Sequence, residues 1–187
     1  PGLGETNAND LGQYLPVAVA DTATYPGSDY YEIGVVQYRQ KMHSDLPPTL
    51  LRGYVQLSTT VVPGSQVPLT NAMVDGTTVP VAGYTGVTPP NYLGPVIVAQ
   101  KDRPVRILFR NLLPNGVGGD LFLPVDSTMM GSGMGPMSMM TPMDAGTVTD
   151  DVRNPMCTAN PKSDMCFKDN RATLHLHGGV TPWISDG

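Results

Sequence analysis

Apolar and polar positions alternate along several short stretches of the chain. This is the pattern of half-buried β-strands, because successive strand residues point to opposite faces. The first stretch begins at Tyr31 and continues through Ile33 and Val35. A second strand is predicted at about 50–57, after the double proline at 47–48, and a short strand at 96–99.

The clearest alternation places its apolar and basic side chains on opposite faces of one strand: Val105, Ile107 and Phe109 on one face, Arg106 and Arg110 on the other. We expect this strand to end at 111–114, where Pro114 cannot donate a hydrogen bond to a sheet.

The rest of the chain is rich in residues that break regular structure. With 21 Gly and 19 Pro among 187 residues and no long run at helical spacing, the sequence predicts one all-β domain with loops. Residues 1–29 carry little pattern and suggest an extended N-terminal arm lying on something larger. Residues 58–93 are rich in Thr, Pro and Gly and contain no convincing helix.

Charge and hydropathy exclude two classes of function. The formal net charge is -5 and no basic cluster is present, which argues against a nucleic-acid surface. No apolar run approaches the roughly 20 residues that a membrane-spanning helix needs, so no membrane span is expected.

Methionine is concentrated in one segment, because nine of the 11 methionines fall between Met129 and Met165. Gly and Pro interrupt every candidate period there, which predicts a surface loop. Thioether sulfur prefers Cu(I), so the loop could capture copper weakly, but flexible Met side chains also make an adaptable apolar cover. The candidate sulfur ligands are Met134, Met137, Met139 and Met140.

Two cysteines, Cys157 and Cys166, lie close together in a polar stretch. A disulfide is favoured, and it would place the protein outside the reducing cytoplasm. Thiolate ligation of copper is the alternative.

The last fifteen residues contain two of the three histidines, His175 and His177. On a strand these side chains share one face, with Cα atoms roughly 6.5 to 7 Å apart, a spacing that lets each imidazole hold its own copper ion. The alternative is that both histidines lie on a strand, make ordinary hydrogen bonds and bind no metal. The remaining histidine, His43, precedes a double proline and is interpreted as a hydrogen-bonding loop residue.

Three blocks of the sequence resemble the N-terminal cupredoxin domain of the multicopper oxidases, most of all the bacterial spore-coat laccases and bilirubin oxidases. Residues 173–187 resemble the family's first copper-binding motif. Residues 30–54, with the His-x-Asp-Leu-Pro-Pro-Thr segment, resemble its opening strand, and residues 94–114 resemble the next two strands. The resemblance implies a Greek-key cupredoxin-like sandwich that binds copper.

The resemblance also implies the roles of single residues. His175 matches a ligand of the type 2 copper and His177 a ligand of one type 3 copper, both within a trinuclear cluster. Asp186 matches an acid near the cluster that handles protons. The type 1 copper of the family needs a cysteine flanked by histidines, and neither cysteine here has such a neighbour, so we expect that copper outside this chain.

The domain organisation follows from the same match. Residues 1–29 form the arm and residues 30–187 a first cupredoxin-like domain, incomplete at its C-terminal end, with long insertions at about 58–93 and 115–172. The family's cluster needs four paired-histidine motifs and this chain carries one. The remainder of the oxidase, as another segment or chain, is therefore the expected partner.

The expected function is the N-terminal part of a laccase-like oxidase. It would couple one-electron oxidation of a phenol, aminophenol, pigment or metal ion to the reduction of dioxygen to water. The alternatives are a copper-sequestering module without turnover and a noncatalytic cupredoxin-like structural domain. The expected location is extracellular, periplasmic, or on a spore coat or cell surface.

Overall fold

The computed structural model describes residues 12–114, 170–172, 174 and 178, and this part of the chain contains β-strands and no helix. The strands are β1 (Asp29–Gln40), β2 (Thr49–Gln56), β3 (Val67–Ala72), β4 (Thr78–Gly86) and β5 (Val105–Asn111). They form a three-stranded sheet in the order β2-β1-β5 and a two-stranded sheet of β3 and β4.

The central strand of the larger sheet is β1. It pairs antiparallel with β2, from Ile33 opposite Gln56 to Gln40 opposite Thr49, and parallel with β5, from Asp29 opposite Val105 to Val35 opposite Asn111. The alternation at its start predicts one buried face, but every residue from Ile33 to Gln37 is buried. The neighbouring strands cover only the edges of β1, so both of its faces are covered by other parts of the chain.

The second sheet lies in the stretch 58–93, which the sequence indicated to be an insertion without a convincing helix. Strands β3 and β4 pair antiparallel through a tight turn, in which Gly76 has a φ of 90° and Asp75 Oδ1 accepts the backbone N–H of Thr77 at 2.9 Å. The pair Asp-Gly is a recognised hairpin signal, because glycine adopts positive φ without a steric penalty.

The two sheets pack against each other through a small apolar core. Its buried members are Val36 of β1, Val55 of β2, Leu57 just after β2 and Leu69 of β3, with Val81, Tyr84 and Leu112 packed around them. The chain passes from β2 into the second sheet and returns to the first at β5, and these two packed sheets are compatible with a β-sandwich.

The described part of the arm, residues 12–28, lies against the larger sheet. The buried Gln56 side chain bonds Val19 twice: Oε1 accepts the Val19 N–H at 2.9 Å and Nε2 donates to the Val19 carbonyl at 2.6 Å. Val17 forms a single parallel bridge with Val96. The short strand predicted at 96–99 is therefore one bridging residue, because Val96 alone in this stretch pairs with the arm.

Candidate functional site

The predicted copper residues lie outside the described part of the chain. This applies to His175, His177 and Asp186, and equally to the methionine and cysteine candidates Met134, Met137, Met139, Met140, Cys157 and Cys166. Within residues 12–114 and the few described near 170, no three His, Cys, Asp or Glu side chains are grouped so as to hold a metal ion.

The chain that leads into the histidine motif is attached to the end of β5. Asn111 Nδ2 donates to the carbonyl of Asn170 at 2.6 Å, and Asn170 Nδ2 donates to the carbonyl of Pro114 at 3.1 Å. The backbone N–H of Leu112 also donates to the carbonyl of Val35 on β1 at 3.1 Å. Asn170 is thus held at the end of the parallel strand pair, five residues before His175.

Two ion pairs hold β5 against β1. Arg110 Nε donates to Glu32 Oε2 at 3.0 Å, and Arg103 Nε, just before β5, donates to Asp29 Oδ1 at 2.7 Å. The hydrogen bond to Glu32 raises the pKa of the Arg110 guanidinium. Each pair joins positions far apart in sequence, so both limit how β5 can shift along β1.

Tyr30 belongs to the same cluster of polar side chains. Its hydroxyl donates to Glu32 Oε1 at 3.1 Å, and burial together with this hydrogen bond raises the pKa of Tyr30 to about 12. The Arg110 guanidinium also lies over the ring of Tyr84 in β4, 5.5 Å from its centroid. Of the basic face predicted for β5, Arg110 therefore contacts the second sheet, whereas Arg106 lies over the ring of Tyr25 in the arm, 5.0 Å from its centroid.

A cavity of about 510 Å³ lies at the end of β1. Its walls come from arm residues 12–16, from residues 38–40 of β1, from the β3–β4 hairpin and from the proline-containing segment 88–91. Asn91 Nδ2 donates to the carbonyl of Tyr14 at 3.2 Å, and Gln13 Nε2 donates to the carbonyl of Lys41 at 2.6 Å. These bonds fix the arm as one wall of the cavity.

Tyr38 and Arg39 are the chemically distinctive residues of this cavity. The Tyr38 hydroxyl donates to Gln40 Oε1 at 2.5 Å, and burial, with a smaller contribution from Tyr92, raises the pKa of Tyr38 to about 12. The Arg39 guanidinium donates to the carbonyl of Met73 at 3.1 Å, so the hairpin holds the basic group at the cavity.

Gly53 of β2 leaves the space that the Tyr38 ring occupies. A Cβ at this glycine would lie 2.5 Å from Tyr38 Cε1 and 2.6 Å from the carbonyl oxygen of Asn91. The ring thus occupies space that any other residue at 53 would fill. Sequence reasoning missed the cavity because its walls come from four separate segments.

His43 lies in an exposed turn. Its Nδ1 accepts the backbone N–H of Asp45 at 3.1 Å, so the interpretation of His43 as a hydrogen-bonding loop residue is confirmed.

The chain matches no family model, no curated protein and no solved structure. Among the described residues, no helix is long and apolar enough to cross a bilayer.

Proposed function

We propose that this chain is the N-terminal part of a laccase-like multicopper oxidase. The protein would couple one-electron oxidation of a phenol, aminophenol, pigment or metal ion to the reduction of dioxygen to water. The observation that carries the proposal is the pair His175 and His177 in a segment whose leading residue, Asn170, is bonded to Asn111 at the end of β5.

The donor set of this segment fits copper. Two imidazoles at positions i and i+2 are ligands that copper accepts readily. Five residues of extended chain span at most about 18 Å, so the pair is covalently tethered to the end of the sheet. In the proposed arrangement His175 holds the type 2 copper and His177 one type 3 copper, while Asp186 moves protons beside them. Bound copper would supply the electron transfer to dioxygen.

The order of the strands supports a Greek-key cupredoxin-like sandwich. The chain leaves the larger sheet after β2, builds β3 and β4, and then returns to lie parallel to β1 as β5. Connections that cross from one sheet to the other are the way Greek-key sandwiches place non-consecutive strands side by side.

The exposed side chains of β5 support the proposal that a further segment contacts this strand. Among the described strands β5 pairs with β1 alone, and its apolar residues Val105, Ile107 and Leu108 are 37%, 44% and 37% exposed. An edge strand with exposed apolar side chains can accept another strand. We propose that the remainder of the oxidase contacts this edge and supplies the type 1 copper and the missing histidines.

The proposal also assigns roles to the cysteines and methionines that precede the histidine pair in the sequence. A disulfide between Cys157 and Cys166 would suit an extracellular, periplasmic or spore-coat location. The sulfurs of Met134, Met137, Met139 and Met140 would form weak copper sites near the surface.

The experiment compares copper content and dioxygen uptake with a phenolic dye in single-histidine variants. We expect His175→Ala and His177→Ala each to lower dioxygen uptake at least 100-fold and to lose bound copper. His43→Ala, at the exposed turn, is the matched control and should leave both values unchanged. Full oxidase activity in either of the first two variants would overturn the proposal.

The second candidate is a copper-sequestering module, favoured by the clustering of nine methionines in the segment that precedes the histidine pair in the sequence. It requires copper binding without turnover. A copper-loaded complete protein that consumes no dioxygen with phenols, aminophenols, bilirubin-like pigments or reduced metal ions would favour this candidate over the oxidase.

A further inference from the structure

The cavity at the end of β1 has the size and composition of a small-molecule site. Binding sites for small ligands are clefts of about 300–1,000 Å³ with mostly apolar walls and a few fixed polar groups. This cavity is about 510 Å³, and Tyr14, Pro16, Tyr38, Pro89 and Pro90 supply flat or rigid apolar surfaces. Such surfaces suit the faces of aromatic rings.

The charged groups around the cavity favour an anion. Arg39 is the one cationic residue among its described lining, and no Asp or Glu belongs to that lining. One of the five N–H groups of a guanidinium is used by the carbonyl of Met73, and the others can bond a carboxylate in a bidentate manner. The Tyr38 phenol, like any tyrosine with a pKa well above 7, is neutral at pH 7 and does not repel an anion.

The walls are held in place before any ligand arrives. Asn91 connects the arm to segment 88–91, Gln13 connects the arm to Lys41 beyond β1, and Arg39 connects β1 to the hairpin. A site held by its own hydrogen bonds loses little conformational entropy on binding.

We propose that this cavity binds an aromatic carboxylate of one or two fused rings, with the ring between Tyr14, Tyr38 and the prolines and the carboxylate on Arg39. Gln40 Oε1 accepts the Tyr38 hydroxyl, which leaves the guanidinium as the group that selects the charge of the ligand. This site uses none of the predicted copper residues, so the proposal can be tested separately from the proposed oxidase function.

The test is isothermal titration calorimetry of the complete protein at pH 7 with 2-naphthoate and its neutral analogue 2-naphthamide. We expect the Kd of 2-naphthoate to be at least tenfold lower than that of the amide. Arg39→Gln should raise the Kd of 2-naphthoate to that of 2-naphthamide and leave the amide unaffected. Lys101→Gln removes an equal charge at a residue outside the cavity and should preserve the tenfold preference.

A second variant tests the location without changing charge. Thr78→Trp, at an exposed lining position of β4, should obstruct part of the cavity and weaken both ligands at least tenfold while the far-UV circular dichroism spectrum stays unchanged. Equal affinity for the two ligands in the unaltered protein, or 2-naphthoate binding that is indifferent to Arg39→Gln or to Thr78→Trp, would overturn the proposal.

Discussion

Asn111 and Asn170, 59 positions apart in the chain, are joined by a hydrogen bond of 2.6 Å from the Asn111 amide to the Asn170 carbonyl. The bond links the last residue of β5 to the segment that precedes the histidine pair. The same Asn111 side chain accepts the N–H of Leu113 at 3.2 Å through Oδ1, so one amide shapes the strand end and also attaches the later segment.

We predict that Asn111→Ala weakens this attachment. The variant loses both hydrogen bonds of the Asn111 side chain, to Asn170 and from Leu113, and at about 0.5–1.5 kcal/mol for each bond it should lose about 1–3 kcal/mol of stability in urea unfolding. If the histidine pair holds copper, bound copper should also fall, because the segment is no longer fixed at the sheet. Gln100→Ala, an exposed amide before β5, is the matched control. Unchanged stability and copper content in Asn111→Ala would contradict the role of the bond.

The buried amides Gln37 and Asn71 join the two sheets. Asn71 Oδ1 accepts the Gln37 N–H at 2.7 Å, and its Nδ2 donates to the Leu112 carbonyl at 2.8 Å. Asn71→Leu should destabilise the protein by about 2–6 kcal/mol, because one buried and one partly buried backbone group lose their partner at about 1–3 kcal/mol each.

Chemical denaturation measures the loss at Asn71. Thr70→Ala, an exposed neighbour on β3, should change stability by no more than about 0.5 kcal/mol. A similar effect of both substitutions would show that the amide network does not stabilise the packing of the sheets.

Acid should weaken the arm through Asp21. The hydroxyl and N–H of Thr24, followed by the N–H of Ala23, lower the pKa of the Asp21 carboxyl below 3.8. A group whose pKa is lower in the folded state contributes stability that is present above its unfolded pKa and is lost as pH falls through its folded pKa. The contribution should therefore begin to fall near pH 4, the ordinary pKa of an Asp carboxyl, and be lost at lower pH as the folded-state carboxyl is protonated.

The measurement is the midpoint of urea unfolding from pH 6 to pH 2 in the unaltered protein and in Asp21→Asn. The difference between the two should shrink toward zero below pH 4, since the protonated carboxyl and the amide are then both neutral. Thr24→Val removes the hydroxyl that bonds the Asp21 carboxylate. When it is introduced into both proteins, the difference between their unfolding midpoints at pH 6 should become smaller. A gap that stays constant with pH would count against the proposed role of Asp21.

The sequence by itself determined where the main strands of the larger sheet lie. Alternation through Tyr31, Ile33 and Val35 located β1, and the apolar and basic faces of 105–110 located β5, because a half-buried strand needs a period of two. The prolines at 47–48 and 114 marked boundaries, since proline cannot donate to a sheet. The absence of helical spacing predicted an all-β chain, and none of the described residues is helical.

Only the tertiary structure decided which strands meet and what they enclose. The period of two places Gln37 on the same face as Tyr31, Ile33 and Val35, but it does not show which groups bond a buried amide there. In the structure, Asn71 and Ala72 bond Gln37 from the second sheet. Gln56 is likewise buried through its two bonds to Val19. The cavity beside Arg39 depends on four segments far apart in the chain. Such contacts carry no local period, because they arise from how separate strands and the arm approach one another.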